Sequence, residues 1–375
     1  MNRRAFMRAG GGTLLAAVLP ELAFPATNQP HENKTSAAGF APTPREWRVF
    51  DVTTRIALNS AARARRVWLP LPSVTEDDWV RPMGNIWSGN AATMRIYDEP
   101  PYETQMLFAQ WDDTEPAPVL EVVSRFASRD RKIDLDTPGH FRLSARESQL
   151  HTKATRLIPT DGVVRRTAKA AAGNARSDVD KARAIYAWVV ENSVRDPETR
   201  GCGLGDVRSM LETGNLRGKC ADINTLFVGM CRALGIPARD IYGVRVAESR
   251  FGYRTLGKSG DISKAQHCRA EVFLQQYGWV PVDAGDVRKV VLEEQPGLTL
   301  SHPLVKPVRE QLFGAWEGNW MPYNFAHDVE LPNSDGTAHP FLMYPQAETT
   351  DGWLDNLDPT SFRYRLTSTE IAIDS

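Results

Sequence analysis

A cysteine, a histidine and an aspartate in this chain have the types and spacing for joint chemistry. Cys220 follows Gly218-Lys219 and opens an apolar run that ends at Gly235-Ile236-Pro237. His267 comes 47 residues later, in Gln266-His267-Cys268-Arg269, and Asp283 follows His267 by 16. A thiolate attacks carbonyl carbon and forms a thioester. An imidazole takes the thiol proton and later protonates the leaving amine. A carboxylate holds the imidazole tautomer and stabilises imidazolium.

The local elements must deliver these groups to one place. Cys220, Ile223, Phe227, Met230 or Cys231, and Leu234 recur at steps of three and four, which predicts a helix. Gly235 suits a left-handed cap and Pro237 cannot continue the helix. Gly218 frees the backbone just before the first turn. Cys220 thus lies at a buried helix N-terminus, where free N–H groups and the dipole favour a thiolate. The same N–H groups can hold an oxyanion, with Trp188 or Asn192 as an upstream donor. Gln266 to Leu274 and Trp279 to Asp283 read as a hairpin with its turn near Gln275 to Gly278. Folding it back brings Asp283 near His267. Glu271 shares a face with His267 but lies about 13 Å along the strand, too far to orient it. Asp286 falls beyond the strand, after Gly285. Asp222, in the first turn, reads as a dipole-complementing cap.

The run GKCADINTLFVGMCRALGIPAR, followed by QHCRAEVFL and GWVPVDAGDV, resembles the transglutaminase-like superfamily, a papain-like group of cysteine enzymes. The resemblance covers about Arg183 to Arg288. It implies a papain-like α+β catalytic domain with Cys220, His267 and Asp283 as its triad. It leaves open whether the thioester passes to an amine or to water. No calcium-loop pattern is present, and exported bacterial relatives look more like hydrolases or amidases. The expected activity is a cysteine hydrolase or acyltransferase on an amide of a protein or peptide, with cell-wall peptide as one class. No cofactor is expected. One alternative is a non-catalytic peptide-binding module that keeps the fold. Another is a metal site from Cys202, Cys220, His267 and Cys268, although no Cys-x-x-Cys spacing occurs. Cys268 is expected on the opposite sheet face from His267. A Cys202–Cys268 bridge is a further alternative, and Cys231 reads as a buried free thiol.

At 375 residues the chain suits two domains. Residues 46–150 alternate with period two, as in Val52, Thr54, Ile56 and Leu58, and predict an antiparallel β-sandwich-like domain. Trp47, Trp68, Trp79 and Trp87 there are read as core or interface, with a ligand face as the alternative. Residues 151–375 form the catalytic domain. Ser177-Asp178 caps a helix to Asn192 that packs beside the Cys220 helix. Arg288 to Leu292, Leu312 to Met321 and Phe341 to Tyr344 are expected as strands extending the catalytic sheet, with Tyr364 to Ile373 as a docked tail. A net charge of −1 argues against nucleic-acid or membrane-surface partners. No internal apolar run is long enough to span a bilayer.

Asn2-Arg3-Arg4 precedes a weakly apolar stretch from Ala9 to Leu19. Residues 1–26 resemble a twin-arginine export signal, and residues 27–45 read as a flexible leader. Cleavage after residue 26 removes three arginines and one glutamate, a net +2, leaving −3. The expected address is the periplasm or the medium, with no integral membrane segment in the mature chain. Changing Arg3 and Arg4 to lysine should then block export. Undiminished periplasmic recovery of that double variant would sink the signal assignment.

Overall fold

The computed structural model describes residues 39–58 and 64–372. The proposed signal, and all of the leader before residue 39, lie outside them. Seven helices are present among the described residues: α1 (Ala145–Thr152), α2 (Gly162–Ala172), α3 (Asp178–Asn192), α4 (Val207–Thr213), α5 (Cys220–Ala233), α6 (Ala284–Lys289) and α7 (Lys306–Gln311). None is long and apolar enough to cross a membrane.

Helix α5 begins at Cys220, as the periodicity predicts, and Gly235 follows it with φ of 79°. All fourteen of its residues are buried, so it is a core helix rather than one with a single apolar stripe. Helices α2, α3 and α6 cover one side of it, and a sheet covers the other. Its polar members have partners. Thr225 donates to Asp240 at 3.0 Å, and Arg232 donates to the Ala238 carbonyl at 2.8 Å. A buried helix tolerates such groups only when they are hydrogen-bonded.

The sheet beneath α5 has four antiparallel strands, in the order Gly278–Val282, Gln266–Leu274, Ala238–Arg245 and Trp320–Asn324. The hairpin register runs from Leu274↔Gly278 to Ala270↔Val282. The next residue, Asp283, leaves the strand and caps α6 by accepting from the Asp286 N–H at 3.0 Å. Arg288 to Leu292 is therefore helical and not a strand. The cap, Asp286 in the first turn and Arg288-Lys289 in the last all complement the helix dipole, and burial of Val287 and Val290 completes it.

Two five-stranded antiparallel sheets form a sandwich. Arg48–Ala57, Val119–Ser128 and Val80–Gly89 lie in one, and Ala64–Pro70, Thr104–Gln110 and Thr93–Glu99 in the other. Ile56, Leu120 and Val122 of the first meet Val67, Leu107 and Ala109 of the second in one core. Trp68 and Trp79 are fully buried, as read from the sequence.

The C-terminal elements depart from expectation. Trp320–Asn324 joins the sheet beneath α5 on one edge, and on the other Phe313 forms an isolated antiparallel bridge to Val282. Gln346–Thr349 pairs with Ala64–Pro70, and the expected strand at Phe341 to Tyr344 is irregular. The tail is a strand, Tyr364–Ile371, paired along Arg48–Ala57 from Ile56↔Tyr364 to Val49↔Ile371. Periodicity announces a strand but not its partner, and these partners are some 300 residues away in sequence.

A buried ionic cluster ties the strand Arg131–Lys132 to the sheet beneath α5. Glu271, fully buried, pairs with Arg131 and with Arg239 at 2.5 Å, and Arg239 reaches Glu76 at 2.8 Å. Glu271 is thus a structural anion and not an orienter of His267. Burial pushes its carboxyl up, but the Arg239 and Arg131 charges outweigh burial and hold it below its usual range. Glu271→Ala leaves two buried guanidinium groups short of their partner. The expected loss is about 3–5 kcal/mol of unfolding free energy. A loss below about 1 kcal/mol in urea titration would show that the cluster does not bind these parts together.

Candidate active site

The structure brings Cys220, His267 and Asp283 together. Cys220 is the first residue of α5, His267 the second of its strand, and Asp283 the cap of α6. His267 Nε2 lies 2.7 Å from Asp283 Oδ2. Cys220 and His267 stand side by side, close enough that the imidazole lowers the thiol's pKa by contact and by charge. Both side chains line a cleft of about 770 Å³.

Asp283 is held from several sides. Asn224 Nδ2 donates to its Oδ1 at 3.0 Å, and Asn224 Oδ1 accepts from the Gly285 N–H at 3.1 Å. Arg269 Nε stands 3.6 Å from Oδ2. Asn224 lies one helical turn beyond Cys220, so it sets the distance between α5 and α6. Sequence reasoning missed it. Its signal was a polar residue on a helix otherwise rich in apolar ones.

Asp286 is closer to the imidazole than its place in the chain suggested. Its Oδ1 lies 3.4 Å from His267 Nε2 and 2.5 Å from Arg245 Nη2. Burial raises the Asp286 carboxyl, but Arg245 and His267 together hold it well below its usual range. Burial and Arg245 push the His267 pKa down, and the Asp286 and Asp283 charges, with the Asp283 hydrogen bond, bring it above its ordinary value. Asp286 therefore contributes charge, and Asp283 contributes direction as well.

Two further thiols meet Cys220. The sulfurs of Cys202, Cys220 and Cys268 all lie within 4.8 Å of one another, although Cys268 follows His267 directly on the strand. All four cysteines are free and buried, so the alternative of a Cys202–Cys268 bridge is not realised. Cys202 donates to the Gln266 carbonyl at 3.3 Å. Burial would raise the Cys220 thiol. Contacts with Cys202, Cys268 and His267, and the His267 charge, outweigh it and hold Cys220 well below its ordinary value. Burial moves Cys231 the other way, upward. By distance alone the three sulfurs could hold a soft cation. His267, Asp283 and Asp286 form a second such group, but Arg245 and Arg269 already stand against its carboxylates.

Asp222 shapes the loop that carries Cys202. Its Oδ1 accepts from the Leu204 and Gly205 N–H groups, both at 3.0 Å, and its Oδ2 from the Lys219 N–H at 3.0 Å. The cap read from the sequence is present, and it also clamps a second segment. The Ala221 N–H donates to the Cys202 carbonyl at 2.9 Å and completes the clamp. Gly218 is required for space and not for freedom of the turn. A Cβ there would lie 2.3 Å from Asp222 Oδ2. At Gly203, with φ of 89°, a Cβ would lie 1.8 Å from the same atom.

The upstream donors considered for an oxyanion do not reach the cleft. Asn192 Nδ2 donates to the Trp188 carbonyl at 2.8 Å, and neither residue lines the cavity. Gln266 does line it, and its Nε2 is buried without a hydrogen-bond partner among the described residues. Nothing in the sequence marked this amide except its place beside His267.

Residues 165–284 match the transglutaminase-like superfamily. An uncharacterized protein of Haemophilus influenzae is 35% identical over 321 residues, covering 81% of this chain and 86% of that protein. A solved structure from Cytophaga hutchinsonii, described as a candidate cysteine protease, aligns with a TM-score of 0.52 at 12% identity. It covers 89% of this chain and 94% of that one, and shows a shared fold. The periplasmic domain of TgpA from Pseudomonas aeruginosa aligns at a TM-score of 0.32 and 14% identity, over 67% of this chain and 91% of that one, too distant to bear on the fold. By its matched core and its long alignment with the Haemophilus protein, the chain belongs to the transglutaminase-like superfamily.

Proposed function

We propose that the chain is an exported cysteine hydrolase or acyltransferase that acts on an amide bond of a protein or peptide. Cys220 is the nucleophile, His267 the acid and base, and Asp283 the orienter. The observation that carries this reading is the line of contacts from the Cys220 thiol through His267 to Asp283, the last at 2.7 Å, opening into a cleft.

The resting pair in this reading is thiolate and imidazolium. The Cys220 sulfur adds to the amide carbonyl and forms a tetrahedral oxyanion. His267 gives its proton to the leaving amine as the C–N bond breaks, which leaves a thioester. Water or a second amine, deprotonated by His267, then attacks and releases Cys220. The Cys220 backbone N–H at the start of α5 supports one oxyanion contact. The unpartnered Gln266 amide supports a second. Export to the periplasm or medium rests on Arg3-Arg4 and the stretch after them.

Alkylation of Cys220 by iodoacetamide should rise with pH well below the free-thiol midpoint of about 8.5. Cys231 and Cys268 should stay silent in the folded protein. His267→Ala should shift the profile upward, because the imidazolium that favours the thiolate is gone. Amide cleavage should fall again at alkaline pH, when imidazolium loses its proton above its raised pKa. Cys220 that alkylates like a free thiol would remove the basis for the pair.

Cys220→Ala should abolish cleavage. Asp283→Asn should lower kcat by about 10⁴, by analogy with the serine triad. Asp286→Asn removes charge without misdirecting the ring, so its alkaline limb should move to lower pH. Gln266→Ala should lower kcat by about 10²–10³ with KM little changed. Full activity in Cys220→Ala would end the enzyme reading. An active Asp283→Asn beside an inactive Asp286→Asn would exchange the two aspartates.

A further inference from the structure

The cleft beside Cys220 carries one sign of charge. Seven lysines and arginines line it, against a single carboxylate, Asp261. In a chain of net charge −1 this is a local concentration and not a general excess. Three of the cations are already matched. Arg195 pairs with Glu293 at 2.7 Å, Arg200 with Asp355 at 2.5 Å, and Arg245 with Asp286 at 2.5 Å. Asp261 is itself spent on Arg365 at 3.1 Å. Lys219, Lys258, Lys264 and Lys289 have no ion-pair partner among the described residues, and Lys289 already faces the Asp286 and Glu293 charges. Lys219 directly precedes Cys220, and Lys264 stands three residues before His267. Tyr344, Leu357 and Phe362 add an uncharged part to the lining.

An uncompensated cluster of cations in a walled cleft concentrates anions. At about 770 Å³ the cavity suits a few residues of a peptide, within the ordinary range for small-ligand sites. A nucleic-acid strand would call for a long basic track with exposed stacking surfaces. We infer that the cleft recognises an acidic peptide, with one or more carboxylates held by Lys219, Lys258 and Lys264 beside the amide presented to Cys220. This inference rests on the proposed function for the site and narrows its substrate class. The carboxylates could come from glutamate and aspartate side chains or from a free C-terminus. Both offer the same chemistry to an ammonium group.

Calorimetric titration of the Cys220→Ser protein reads binding without any chemistry at the thiol. Four peptides serve as probes: an amidated glutamate tripeptide, an alanine tripeptide with a free C-terminus, its amidated form, and an amidated lysine tripeptide. At least one of the first two should bind, and the last two should not. Which of the first two binds identifies the carboxylate source. Raising salt to 1 M, where the screening length is about 3 Å, should abolish the binding. The double change Lys258→Glu and Lys264→Glu, at exposed positions where the fold is not at risk, should weaken it about tenfold, as two partly screened contacts imply. Equal binding of the neutral peptide would overturn the inference, and so would salt-insensitive binding. Binding of a thymidine oligonucleotide but of neither acidic peptide would overturn it in favour of nucleic acid. Each of these results leaves the thiol reading standing, because that reading falls only on the alkylation profile and the Cys220→Ala variant.

Discussion

The fully buried carboxylate of Asp283 is the constraint on which the rest of the site depends. A charge taken out of water must be met by donors, or the group protonates instead. Here the donors come from four directions: the imidazole of His267, the amide of Asn224, the N–H of Asp286, and the nearby guanidinium of Arg269. They come from three structural elements, because His267 and Arg269 share one strand. His267 is on the central hairpin, Asn224 is on α5, and Asp286 is in the helix that Asp283 itself starts. Satisfying one carboxylate therefore fixes the strand, the two helices and the imidazole against one another. The catalytic alignment proposed for Cys220 is a by-product of meeting that requirement.

What was legible in the sequence follows from this geometry. The start of α5 and its glycine stop could be read because period and cap are local signals. The hairpin was readable because its turn is short, and it carried Asp283 to His267. Asp286 lies nearer the ring than its place beyond the strand suggests, because a capped helix, and not a strand at Arg288 to Leu292, follows Asp283 and turns Asp286 back. Glu271 was rightly set aside by distance, but its partners Arg131 and Arg239 are long-range and left no local trace. Cys202 was placed in a glycine-rich loop without a position. The Asp222 clamp and the Ala221 and Gln266 contacts, invisible to periodicity, bring its sulfur to Cys220. The partners of the C-terminal strands were hidden for the same reason.

The three sulfurs explain how a buried thiol can be acidic. Burial is the largest single influence on Cys220 and it opposes ionisation. A histidine alone would leave that opposition partly unanswered. The Cys202 and Cys268 sulfurs lie within 4.8 Å of it, and their own thiols are pushed upward. The negative charge is thus favoured on Cys220 over two neighbours whose protons go to the Gln266 carbonyl and the Met343 sulfur. The helix N-terminus adds to the same preference.

Asp222 sets a limit on this arrangement. It is a carboxylate two residues from the thiolate, and like charges at one helix start repel. Burial, and to a lesser degree the Cys220 charge, raise the Asp222 carboxyl despite its three backbone hydrogen bonds. The conflict is contained by direction. The Asp222 oxygens turn back toward Leu204, Gly205 and Lys219, into space that Gly203 and Gly218 leave open. The Cys220 sulfur turns forward, to His267 and the cleft. A side chain at Gly203 or Gly218 would displace the Asp222 carboxylate from its three N–H donors. It would release the Cys202 loop and leave the carboxylate's charge unmatched beside the thiolate. The two glycines therefore act on the chemistry of Cys220 without touching it, by fixing where the neighbouring negative charge can sit.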